Sequence, residues 1–493
     1  MFKSLIKNTL ISGVAFFAVS VLGLLLVPYL VSAYGVAGFG VISMARLFIP
    51  LMGMGIFDLG FGEIATHSVA RARAEGQWAH ALAVLLQIGL LALGIGAVLG
   101  GVLYLLAPSL GNWMSITGVL YTEFQLALEL TALLLPLLFA SLVFEGIIKG
   151  FENFKLQRLI EVAAALAYTV GAVYIIWKGF GLYWVCAVFL FAQSGRAVLA
   201  LVFAVRLLDP HRVSFSGFDR IARAEIRARS PGLSASKILG TTQSNGPVLL
   251  ISFLLGPSSV GVYEALSRIP RFAKSVVGLV NGIVQPLAAR LDHGAQGATD
   301  MAKLIGNGTL LLACVVLPLY ASAMAFSEPM LRLWLSNEFS GLWYWQSALF
   351  VFPALAGLVG FGASALIGRV QSVSRFNRIA VLFIVVQLLI GFLLQSWLSE
   401  FAFIVGQVVA ACIAFVLQFR VIQQAIALPS GTYRKLSVVV VSVLAFSLPC
   451  YYFASQVGNL LQLALAGALS VTAMIVISFG LAFRHNLIQK FKS

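Results

Sequence analysis

Glu264, Arg268, Arg271 and Lys274 lie within eleven residues of the stretch YEALSRIPRFAKSVVG, Tyr263 to Gly278, which is flanked by the apolar runs VLLISFLLG and LVNGIV. At about 100° per residue the four fall within about 120° of one another, on one face of a helix. One carboxylate against three cations leaves that face with surplus positive charge. Guanidinium forks and an ammonium in a row suit phosphate oxygens, and such pairing is strong where water is scarce. The competing reading is internal neutralisation, because Glu264 and Arg268 form an i,i+4 pair.

Other charges also sit in apolar runs: the cations Arg46, Arg196 and Lys237, and the acids Asp58, Glu63, Glu129, Glu145 and Glu161. Each costs about 2.5–3.5 kcal/mol if it faces lipid, so each is expected to face protein, a watery cavity or the interface. Lys237 opens the segment KILGTTQSNGP and is a candidate substrate-binding cation there, with Gln243 and Asn245 offering amides to sugar hydroxyls or to neighbouring helices. Asp58, Glu63 and Glu264 are candidate proton or sodium sites, since a carboxylate near cations changes charge as its neighbours move. Static salt bridges would use the same residues.

The elements that position these side chains follow from composition. Of 493 residues 60% are hydrophobic and 10% charged, with mean hydropathy +1.00. Fourteen apolar runs of about 18–28 residues recur from about 9–31 to about 460–483, each long enough to span a bilayer. The second is expected at about 39–66 and the eighth at about 259–288. An all-α polytopic membrane protein is predicted. The first run follows Lys3 and Lys7 and precedes VSA, but its core is too long for a signal peptide, so it reads as the first span.

Lys and Arg placement sets the orientation. With a cytoplasmic N-terminus, 24 of the 32 fall in inside segments, two outside and six within spans. Both termini are therefore expected in the cytoplasm. The net charge of +15 then reflects orientation and attraction to anionic lipid, and does not call for nucleic acid. The basic stretch FDRIARAEIRAR reads as a solvated connector, with an amphipathic surface helix as the alternative. Cys186, Cys314, Cys412 and Cys450 lie alone in separate runs and the five histidines are unclustered, so neither a disulfide framework nor a metal site is implied. The longest inside segment, about 26 residues, leaves no room for a catalytic domain, and no catalytic residue or cofactor is expected.

The chain also repeats itself. YLVSAYGVAGFGVI and LISFLLGPSSVGVY both carry Gly-x4-Gly, at Gly35/Gly40 and Gly256/Gly261, 221 residues apart. An even number of spans between them makes this a parallel repeat. The expected division is a six-helix lobe at 1–207, a basic linker at 208–231, a second six-helix lobe at 232–422, and two further helices with a tail at 423–493.

The opening segment, from NTLISGVAFFAVSVLGLLLVPYL through HSVARARAEG, and NGPVLLISFLLGPSSVGVYEALSRIPR at the start of the second lobe both resemble polysaccharide-export proteins. These are the Wzx-type O-antigen flippases of the multidrug/oligosaccharidyl-lipid/polysaccharide exporter superfamily. One departure is Asn245, where many relatives carry an acid. The resemblance implies two pseudo-symmetric bundles around a central cavity, with Arg46 helping the Arg268, Arg271 and Lys274 row across it. It further implies movement of undecaprenyl-diphosphate-linked oligosaccharide to the periplasmic face of the bacterial inner membrane, with proton or sodium coupling; the last two helices, uncharged until Arg484, read as lipid-facing packing, with a cradle for the polyprenyl tail as the alternative. A polysaccharide polymerase and a chain-length regulator are the implied partners. A multidrug cation antiporter and a peptidoglycan-precursor (lipid II) flippase share the fold; fourteen helices and a cationic row argue against the first.

Overall fold

The computed structural model describes residues 2–50, 57–209, 220–291, 297–335, 337–367, 370–426, 428 and 431–492. Among the described residues the chain is helical and holds no strand. In order the helices are α1 (Phe2–Arg46), α2 (Phe61–Glu75), α3 (Trp78–Trp113), α4 (Val119–Gly150), α5 (Phe154–Trp177), α6 (Leu182–Leu208), α7 (Arg220–Leu254) and α8 (Pro257–Leu291). There follow α9 (Gly297–Ala325), the short α10 (Ser327–Trp334) and α11 (Asn337–Ser340), then α12 (Trp343–Ile367), α13 (Val370–Leu398), α14 (Phe401–Ala425), α15 (Thr432–Ala454) and α16 (Leu460–Lys492).

Every expected apolar run has a helical counterpart. Eleven helices among the described residues are long and apolar enough to cross a membrane. The three expected spans outside that set are the second, seventh and eighth, which carry Asp58 and Glu63, Lys237, and the Glu264–Lys274 row. A polytopic α-helical membrane protein of about fourteen spans is the result.

The second run differs from expectation. Rather than one helix over 39–66, α1 continues through Gly35 to Arg46, turns follow to Pro50, and α2 starts only at Phe61. Gly35 has φ 69° and ψ 176°, outside helical space, so the expected turn between the first two spans is a one-residue kink. Residues 51–56 of this run lie outside the described residues; of the rest, Pro50 and Gly60 flank them and oppose helix although the composition is apolar. Of the basic connector, residues 210–219 lie outside the described residues, and α7 begins at Arg220.

The chain forms two compact units, residues 1–264 and 265–493, with the boundary inside α8. In the first, α4 packs against α2, α3 and α6, and α1 against α5. In the second, α9 packs against α12, α15 and α16, and α14 against α12 and α13. The core of the second unit gathers Tyr320, Phe350, Ile305 and Leu366, all essentially buried.

Candidate functional site

α8 runs unbroken through Pro270, so Glu264, Arg268, Arg271 and Lys274 occupy one continuous helix as the spacing required. Glu264 and Ser267 are buried, and the Nε of Arg268 is shielded from solvent. An Arg271 Nη donates to the Ser267 hydroxyl at 2.8 Å, one turn back. Lys274 Nζ stands 4.5 Å from the centre of the Phe352 ring on α12, a cation–π contact, and no carboxylate among the described residues forms an ion pair with it. The helix is pinned locally by the Tyr320 hydroxyl, which donates to the Ala273 carbonyl at 3.0 Å. The Arg271 guanidinium and the Lys274 ammonium are thus positioned in part by a hydroxyl and an aromatic ring.

Arg46, in the last turn of α1, is held in a similar way inside the first unit. Its guanidinium lies 5.0 Å from the Tyr168 ring centre and 4.6 Å from that of Phe189, on α5 and α6, and donates to the Tyr168 hydroxyl. The two rings meet edge to face at 5.0 Å. Arg46 Nε is buried without a hydrogen-bond partner, and no carboxylate among the described residues pairs with this side chain.

Lys237 is placed otherwise. Its ammonium donates to Asp58 and lies 2.7 Å from a Glu63 oxygen. Asp58 is buried and does double work: its other oxygen accepts the N–H groups of Gly60 and Phe61, both at 3.0 Å, at the start of α2. So Lys237, Asp58 and Glu63 form one cluster tying α7 to the broken second span, with Glu63 half-exposed. Gln243 and Asn245 lie farther along α7, both partly buried, with no hydrogen-bond partner among the described residues.

One intramembrane group is purely structural. Arg196 on α6 makes a two-pronged bond to Glu145 on α4, at 2.8 and 2.9 Å, with both side chains largely buried. Fifty-one residues separate the two, and neither lies beside a motif that would announce the partner. Arg158 and Glu161, 2.6 Å apart and one turn from each other on α5, follow the helical spacing that sequence does reveal.

Comparison with known proteins fits this arrangement. A Shigella flexneri protein called "Putative O-antigen transporter" is 21% identical over 339 residues, 68% of this chain and 78% of that protein. Among solved structures, the lipid II flippase MurJ in an inward closed conformation superposes with TM-score 0.73 at 12% identity, over 97% of this chain and 99% of that one. An inward-facing multidrug resistance MATE family transporter of the MOP superfamily gives TM-score 0.61 at 15% identity, over 84% and 98%. Those two likenesses establish the fold. The profile of the polysaccharide biosynthesis proteins matches residues 5–292, more than half the chain. The chain is a multi-pass α-helical membrane protein, and it belongs to the polysaccharide biosynthesis protein family.

Proposed function

We propose that the protein is a flippase moving undecaprenyl-diphosphate-linked oligosaccharide repeat units from the cytoplasmic to the periplasmic leaflet of the bacterial inner membrane, by alternating access, with both termini cytoplasmic. The observation that carries this reading is the α8 row, where Arg271 and Lys274 are positioned by Ser267 and Phe352. A diphosphate offers several negative oxygens to such a row, and guanidinium binds them in forked geometry. Arg46 in its aromatic cradle is a second cationic position, and the amides of Gln243 and Asn245 suit sugar hydroxyls. The O-antigen transporter likeness supports a lipid-linked glycan as cargo.

In this reading no cofactor is needed, and a proton or sodium ion drives the cycle through Asp58, Glu63 and Glu264. Lys237 occupies the first two acids now; when it leaves, they would accept a cation. A polysaccharide polymerase and a chain-length regulator would consume the exported unit. A second reading, a lipid II flippase, is favoured by the TM-score of 0.73 with MurJ, and it uses the same diphosphate chemistry.

Proteoliposomes carrying either lipid-linked repeat units or lipid II separate the two readings. Arg271→Ala and Lys274→Ala should abolish transport and surface polysaccharide while the protein accumulates normally, because removing a charged side chain from a span lowers the cost of insertion. Full transport by both variants, or transport of neither lipid by the unaltered chain, would overturn the flippase assignment.

A further inference from the structure

Glu129 is an acid in a membrane span that the transport row does not use. It sits ten residues into α4, about 15 Å from the helix start at about 1.5 Å per residue. Its carboxylate accepts from Gln125 Nε2 at 2.8 Å, and among the described residues it has no cationic partner. It opens into a groove of about 490 Å³ between α3, α4 and α6, lined also by Gly100, Gly101, Tyr104, Leu133 and Tyr183. The groove faces outward: Leu133 is 76% exposed and Tyr104 57%, on helices that lie in the bilayer.

The depth of the groove comes from α3. The backbone of Gly100 lies against Ala132, where a Cβ would be 3.4 Å from the carbonyl carbon, whereas beside Gly101 nothing lies within 4 Å of where a Cβ would be. Sequence therefore leaves a slot next to a carboxylate at membrane depth, a costly arrangement unless a positive or donating group comes to it.

We propose that this groove is a binding site for an aminophospholipid, whose ammonium headgroup donates to Glu129 while its chains lie along the apolar walls. Three features select that occupant. The opening faces the bilayer, so lipid is what reaches it. A carboxylate without a cation favours an ammonium and disfavours a headgroup that is only anionic. Gln125 holds the carboxylate in place and adds no charge. The site is separate from the α8 row, and its failure would leave the transport reading untouched.

The test uses the full chain extracted gently from membranes holding equal phosphatidylethanolamine, phosphatidylglycerol and phosphatidylcholine, with retained lipids counted by native mass spectrometry. The unaltered chain should keep phosphatidylethanolamine over phosphatidylglycerol by about tenfold, the scale of one charge-assisted contact. Phosphatidylcholine, whose trimethylated nitrogen has no N–H to donate, should be held less well than phosphatidylethanolamine. Glu129→Gln keeps the shape and should erase the preference. Gly101→Leu, at a position where an added Cβ meets nothing within 4 Å, projects a side chain into the slot and should lower phosphatidylethanolamine retention while leaving phosphatidylglycerol unchanged. Equal retention of the three lipids by the unaltered chain would overturn the proposal, as would a preference that survives either substitution.

Discussion

Gly40 and Gly261 hold the same place in two crossing copies of one motif. A Cβ added at Gly40 would lie 2.8 Å from the carbonyl carbon of Pro257, and one added at Gly261 would lie 2.9 Å from that of Val36. Val36 and Pro257 are 221 residues apart, as are Gly40 and Gly261, so the two contacts are the same contact seen from each copy. The leading glycines match as well: Gly35 has φ 69° and Gly256 φ 81°, both in the region where only glycine is at ease. The internal repeat is thus written in backbone angles, and its copies meet within the first compact unit.

Alanine substitution should separate the two roles of these glycines. At Gly40 or Gly261 the methyl meets backbone that cannot move aside easily, and overpacking of this kind costs about 1–3 kcal/mol. At Gly35 a Cβ finds nothing within 4 Å, so Gly35→Ala meets no overpacking and carries only the cost, about 1–3 kcal/mol, of a backbone region essentially confined to glycine. Thermal unfolding in detergent should rank Gly40→Ala and Gly261→Ala below Gly35→Ala. The reverse order would show that the crossing helices are free to part.

How much of this was legible in the chain depends on the range of the force involved. The spans were readable because bilayer thickness sets their length, and the repeat because Gly-x4-Gly returns at the same point of each half. The α8 row was readable because side chains four apart on a helix share a face. The break in the second span was hidden, since LFIPLMGMGIF is apolar enough to cross and only Pro50 and its glycines speak against it. Lys237 read as a candidate substrate-binding cation because its partners, Asp58 and Glu63, lie more than 170 residues away in sequence. No local spacing records such a pair; only packing of α7 against the second span brings it together.

The Glu145–Arg196 pair gives a stability prediction without a transport one. Arg196→Ala leaves a buried carboxylate uncompensated, and breaking one side of such a pair costs about 3–5 kcal/mol. Replacing both partners, as Glu145→Leu with Arg196→Met, should recover much of that loss and transport with it. Folded protein in the membrane and export are the two measurements. A double variant that folds but does not transport would assign the pair to the transport cycle.

Arg46 should prove sensitive to shape as well as charge. Its plane is seated against Tyr168 and Phe189, and lysine cannot stack in the same way. Arg46→Lys should therefore reduce export by roughly tenfold, the scale of a cation–π contact of about 1–2 kcal/mol. Tyr168→Phe keeps the ring but removes the hydroxyl that receives the guanidinium N–H, and should fall between the two. Equal export by all three proteins would reduce Arg46 to a simple charge.

Asp58 joins a helix start to an ion pair, and the two functions respond to different substitutions. Asp58→Asn keeps an oxygen for the N–H groups of Gly60 and Phe61 but gives up the charge facing Lys237. Asp58→Ala gives up both, and loss of such a cap costs about 1 kcal/mol beyond the ion pair. Lys237→Met leaves Asp58 buried with its two N–H bonds and Glu63 exposed enough to be hydrated. The order of stability should therefore be Asp58→Asn, then Lys237→Met, then Asp58→Ala as the least stable. If the cluster also admits the coupling ion, Lys237→Met should still take up protons or sodium in vesicles with substrate present, whereas Asp58→Asn should not. Unchanged ion flux in Asp58→Asn would make the cluster a static tie between α7 and the second span.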